Sequence, residues 1–277
     1  MRIDAHQHYW IYNADEYAWI GESIAAIRRD FLPAELKPEL KKNGFDGSVV
    51  VQVRQTLEET AWLLELAEQS PNIVGVVGWI DLCSPEAPSQ LKRFAKYPKL
   101  VGVRHIVQGE PDDRFLLRPD FRRGIALLED FNLAYDILIY TRHLSVAVEF
   151  VERFPNQRFV LDHLAKPPIK NGEIEPWANG IRRLAEFPNV FCKLSGLVTE
   201  ADWQSWTPEQ IHPYLDVGFA AFGPGRLMIG SDWPVCLCAA SYSRAVNVVK
   251  EYIDRHHPDS RDEVLGGNAQ RFWGLKV

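Results

Sequence analysis

Two histidines, His6 and His8, stand one residue apart in MRIDAHQHYW, directly after a short apolar stretch. In an extended strand, residues i and i+2 point to the same face. Both imidazoles therefore project together, an arrangement that suits a divalent metal ion or two donors aimed at one oxygen. Further along, LDHLAKP (161–167) carries Asp162, His163 and Lys166, and IGSDWP (229–234) carries Asp232 before a Trp-Pro turn. A lone His-x-His pair is a common accident, and a single histidine is more often structural. Three histidines and a carboxylate meet only if a fold brings distant segments together.

The elements that would do so are legible as eight short apolar runs. They are RIDAH (2–6), GSVVVQV (47–53), IVGVVGWIDL (73–82), LVGVRHIV (100–107), AYDILIY (134–140), RFVLDHLA (158–165), VFCKLSG (190–196) and RLMIGSDWP (226–234). Each is too short for an ordinary helix and reads as a parallel strand buried on both faces. Segments of helical period lie between them, at 57–69, 119–131, 143–154, 177–187, 208–222 and 241–253. The alternation predicts an α/β fold, a (β/α)8 TIM barrel forming a single domain over residues 1–277. In such a barrel, chemistry sits at the C-terminal strand ends, and the first and eighth strands are neighbours. His6, His8, His163 and Asp232 all fall at such ends.

Other strand-end residues are candidates for substrate contacts: Arg54, Trp79, Arg104 or His105, Tyr140 and Lys166. Adjacent residues of a strand face opposite sides, so only one of Arg104 and His105 is expected to point inward. Arg54 could instead pair with Glu58, and Lys166 with the acidic neighbourhood of Glu173 and Glu175. Lys193, inside the seventh run, needs a partner if buried. The long connection after the first strand is crowded with Tyr9, Trp10, Tyr12, Tyr17 and Trp19. It is either a wall over a substrate, with Trp10 in contact, or a staple on the barrel rim.

Composition narrows the class. The net charge is −6 with no basic run, which argues against nucleic acid as a partner. No apolar stretch approaches the roughly 18 residues of a membrane span, and no apolar leader follows Met1. A cytoplasmic protein is expected. Cys83, Cys192, Cys236 and Cys238 read as free thiols rather than a disulfide framework. The Trp-bearing stretch DWQSWTPEQI (202–211) is a surface on which copies of the chain could form a homo-oligomer.

The motifs in order (HQH, LDHLAKPP, GSDWP and LGGNAQRFW at 265–273) resemble those of the amidohydrolase superfamily, and more narrowly its amidohydrolase-related lactonases. GVRHIV (102–107) adds to the likeness to the sugar-lactone branch. The resemblance covers nearly the whole chain. It implies hydrolysis of a sugar (aldono) lactone, with Asp232 as general base. His6, His8 and His163 would polarise the carbonyl directly, or through one divalent ion, Zn2+ first among candidates, held by those histidines and Asp232. It also implies that a metal is not obligatory, since the branch contains members that work without one. The lysine that bridges two metals in binuclear relatives has no counterpart on the fourth or fifth run, which disfavours a two-metal site. A metal-dependent decarboxylase and a barrel that only binds a metabolite are the competing readings.

Overall fold

The computed structural model describes residues 1–275; residues 276–277 of the expected domain lie outside the described residues. Eight parallel strands run in chain order around one sheet. They are β1 (Ile3–Gln7), β2 (Gly47–Val51), β3 (Ile73–Gly78), β4 (Leu100–His105), β5 (Ala134–Ile137), β6 (Phe159–Leu161), β7 (Val190–Leu194) and β8 (Leu227–Ile229). The sheet closes just past the strand ends, where Asp232 N donates to His6 O (2.8 Å) and His8 N to Trp233 O (2.7 Å). Gly230 makes this seam possible, because a Cβ there would stand 2.7 Å from the His6 Cβ. The expected TIM barrel is the observed fold.

The apolar runs divide by face. Val49, Val51, Val77, Val160 and Met228 fill the barrel interior together with Phe272 and Trp273 of the C-terminal helix Asn268–Trp273. Their neighbours Val50, Val76, Phe159, Leu161 and Ile229 pack against the surrounding helices. Each fully buried side chain of this kind contributes roughly 1.5–3 kcal/mol. Among the described residues, four α-helices escape the periodicity reading: the one- to two-turn Leu197–Glu200 and Asn268–Trp273, and the longer Pro33–Lys42 and Ala87–Phe94. The latter two are mostly polar, with buried faces of only Leu36 and Leu40, or Ala87, Leu91 and Phe94. The strands also end earlier than their apolar runs, so β3 stops at Gly78 and Trp79 already belongs to a loop. Among the described residues, no helix is long and apolar enough to cross a membrane.

The aromatic connection after β1 is mostly staple. Trp10 is fully buried against Phe31 and Tyr17, exchanges two backbone hydrogen bonds with Phe31, and donates Nε1 to Arg29 O. Trp10 thus lies behind the rim and does not line the cavity described below. Trp19, 48% exposed, is the tryptophan of this loop that does.

Candidate active site

The site begins with an irregularity in β1. Its register against β2 slips by one residue between Asp4 and Gln7, a bulge that re-aims the side chains following it. Asp4 stays on the outer side, where it accepts from Ser231 Oγ and Tyr242 Oη. Gln7 also turns outward and donates to Ser48 Oγ. His6 and His8 both turn inward, with their Nε2 atoms 3.2 Å apart. His8 Nδ1 lies 2.7 Å from Val51 O. A carbonyl only accepts, so the neutral His8 ring carries its proton on Nδ1 and presents a lone pair on Nε2.

His163 and Asp232 reach the same point through strained backbone. Residues His163, Leu164, Ala165 and Lys166 are all left-handed, with φ between 50° and 56°, and Asp232 has φ 56°. Each such residue costs about 1–2 kcal/mol, and strain of this kind concentrates at functional sites. Asp232 Oδ1 lies 3.2 Å from His8 Nε2, 3.7 Å from His6 Nε2 and 4.0 Å from His163 Nε2. His163 Nδ1 is anchored 2.9 Å from Ser195 Oγ.

Beneath these groups lies a buried set of two cations and two anions. Arg104 Nη1 reaches Asp162 Oδ2 at 3.0 Å and lies 3.4 Å from His6 Nε2, and its Nη2 donates to Gln52 O. Lys193 Nζ contacts Asp136 Oδ2, Asp162 Oδ1 (3.0 Å) and His6 Nδ1 (3.2 Å). Burial, reinforced by Lys193, holds His6 well below the usual imidazole range. Burial also pushes His163 down to about 4. For Asp232, burial acts to raise the carboxyl, but His163, His8 and His6 outweigh it and hold it below the usual carboxylate range. Asp232 is therefore a carboxylate at neutral pH, facing His6 and His163 as neutral imidazoles.

A cavity of about 450 Å³ opens above, lined by His8, Asp232, His163, Arg104, Lys166 and Tyr140 among others. One atom each from His6, His8 and Asp232 lies within 4.8 Å of the other two. With two imidazole nitrogens and a carboxylate oxygen, this trio fits a single divalent ion such as Zn2+. The His8 Nδ1 bond to Val51 O is the kind of support that orients a metal-ligating histidine.

A match to the amidohydrolase family spans residues 3–275. The chain belongs to the amidohydrolase family. An L-fucono-1,5-lactonase of Burkholderia multivorans is 41% identical, over 99% of this chain and 96% of that protein. A protein of the same description from Burkholderia ambifaria is 40% identical, with the same coverage. The crystal structure of a Burkholderia multivorans amidohydrolase with bound zinc superimposes with a TM-score of 0.95 at 41% identity, covering all of both chains.

Within this amidohydrolase, the remaining strand-end candidates separate cleanly. Arg104 points inward, whereas His105 points out, stacks on Phe115 and pairs with Glu110 at 2.6 Å. Trp79 donates to His105 Nδ1 and lies away from the cavity. Arg54 also lies off the cavity and pairs with Glu16, not Glu58. Lys166 lines the cavity and pairs with Glu200 rather than Glu173 or Glu175. Sequence reasoning passed over Ser195, Gln108 and Asp136. Asp136 had a signal, since a carboxylate inside AYDILIY and an ammonium inside VFCKLSG demand each other if both strands are buried.

Proposed function

We propose that this amidohydrolase hydrolyses a sugar lactone, with an L-fuconolactone-like ring as the leading substrate. The observation that carries the reading is the ionised Asp232 carboxylate set among His6, His8 and His163 at the floor of a cavity with polar walls. The full-length likeness to L-fucono-1,5-lactonases supports the same substrate class.

In this reading a water bound at Asp232 Oδ gives up a proton to the carboxylate as its oxygen attacks the lactone carbonyl. The tetrahedral oxyanion collapses, the ring C–O bond breaks, and the proton held by Asp232 passes to the leaving alkoxide. Roles among the histidines divide by where their protons sit. His8, with its proton committed to Val51 O, accepts or ligates but does not donate. His163 can donate from Nε2 when Ser195 Oγ–H donates to Nδ1, and Arg104, which lines the same cavity, is a permanent donor. When bound by His6, His8 and Asp232, a divalent ion adds Lewis-acid polarisation and lowers the pKa of bound water. In this reading Lys166, Tyr140 and Gln108, which line the cavity, meet ring hydroxyls, with Trp19 as an aromatic wall.

The test is acid release from L-fucono-, L-galactono- and L-rhamnono-lactones, before and after chelation, with metal content measured on both samples. Turnover of at least one supports the reading. Its absence for every lactone, with and without added zinc, refutes it.

A further inference from the structure

The barrel holds a second cluster of metal-ligand atoms, from His6, Asp162 and His163, again within 4.8 Å of one another. All three side chains are buried. Two of them are already in contact with a cation, because Lys193 Nζ stands 3.0 Å from Asp162 Oδ1 and 3.2 Å from His6 Nδ1. Its third neighbour is Asp136 Oδ2. An ammonium has three N–H donors and no acceptor; here it donates to Asp136 Oδ2, with Asp162 Oδ1 and His6 Nδ1 beside it. The other Asp136 oxygen, Oδ1, is buried without a hydrogen-bond partner. Take the ammonium away and the Asp136 and Asp162 carboxylates and His6 Nδ1 lose their shared partner, with His163 close to His6 and Asp162 and Arg104 still paired to Asp162. These are oxygen and nitrogen donors of the kind zinc takes.

We propose that the Lys193 ammonium is the resident cation of a second metal position, so that the chain holds at most one divalent ion and opens a second position when the ammonium is removed. The proposal does not depend on which substrate is turned over. Its consequence is that Asp136 and Asp162 are already paired with a cation and do not take up a second ion.

The test is zinc content and location in the full chain, read by elemental analysis after removal of excess metal and by anomalous scattering from zinc-soaked crystals. In Lys193→Ala, zinc content should rise by about one ion per chain, with a new anomalous peak among Asp136, Asp162 and His6. Thermal unfolding of that variant should gain a zinc-dependent rise in Tm larger than that of the unsubstituted protein. If Lys193→Ala is insoluble without metal, growth in zinc should restore folded protein. A folded variant with no new peak, or an insoluble one that zinc does not restore, overturns the proposal. So does a zinc ion found at that inner position in the unsubstituted chain with Lys193 in place, a measurement that needs no variant.

Discussion

Gly196 is the residue on which a single methyl group would most directly test the placement of His163. It sits just past β7 with φ 66°, and a Cβ there would lie 2.6 Å from His163 Nδ1, 2.9 Å from its Cγ and 3.3 Å from Asp232 Oδ2. Ordinary carbon contacts need about 3.5 Å or more, so in Gly196→Ala the ring must retreat by close to 1 Å. The retreat breaks the Ser195 bond that fixes the ring. A displacement of about 1 Å in a catalytic group can cost on the order of 100-fold in rate. The left-handed backbone adds a separate loss of about 1–2 kcal/mol in stability. Lactone turnover and urea unfolding, measured on the same preparation, separate the two effects. A variant destabilised by this amount yet within about threefold of normal kcat/KM would refute the reasoning, since a 1.4 kcal/mol barrier change already gives tenfold. His163 would then not need its observed position.

Asp232→Asn should lower kcat by roughly 100-fold or more while leaving Tm nearly unchanged, because general-base assistance is of that order; near-normal turnover would remove Asp232 as the base. Trp19→Ala should raise KM with little change in Tm, whereas Trp10→Ala should cost about 3–5 kcal/mol in unfolding free energy; the opposite pattern would mean that the two residues have been assigned the wrong roles. Glu59, buried beside the backbone amides of Val53 and Arg54, is raised by burial from 4.5 to about 7. A raised carboxyl contributes stability that is complete below its unfolded value and lost as pH rises through about 7, some 3 kcal/mol in all. Glu59→Gln should therefore flatten the fall in urea-unfolding free energy between pH 5 and pH 8; an unchanged slope in the variant would show that Glu59 is not its source.

Which parts of the site could be read from the chain follows from the physics of strands. Period-two alternation places His6 with His8, and the register slip between Asp4 and Gln7 leaves the two on one face. The rule that chemistry gathers at C-terminal strand ends selects the segments holding His163 and Asp232 without any knowledge of their backbone. The run of four left-handed residues that aims His163 has no signal in LDHLAKP, since none of the four is a glycine. Loop contacts are the least legible. Arg54 meets Glu16 across the long β1 connection, and nothing in the spacing distinguishes that partner from Glu58. Trp10, expected in contact with substrate if the loop were a wall, is buried behind the rim, and Trp19 lines the cavity.

The buried ions explain why a lysine in an apolar strand is tolerated here. Isolated, the Lys193 ammonium would be costly in the interior, and so would Asp136 or Asp162 alone. Arg104 and Lys193 balance the two carboxylates, with the remaining contacts supplied by His6 and Gln52 O. Replacing one member leaves an uncompensated charge, typically a loss of about 3–5 kcal/mol. Coordinated removal of one cation with one anion should be much milder. That asymmetry ties the cavity floor to stability. His6 meets Lys193 at Nδ1 and Arg104 at Nε2, and Arg104 pairs with Asp162, so a substitution that repacks Asp162 or Lys193 should reach the cavity through both His6 and Arg104.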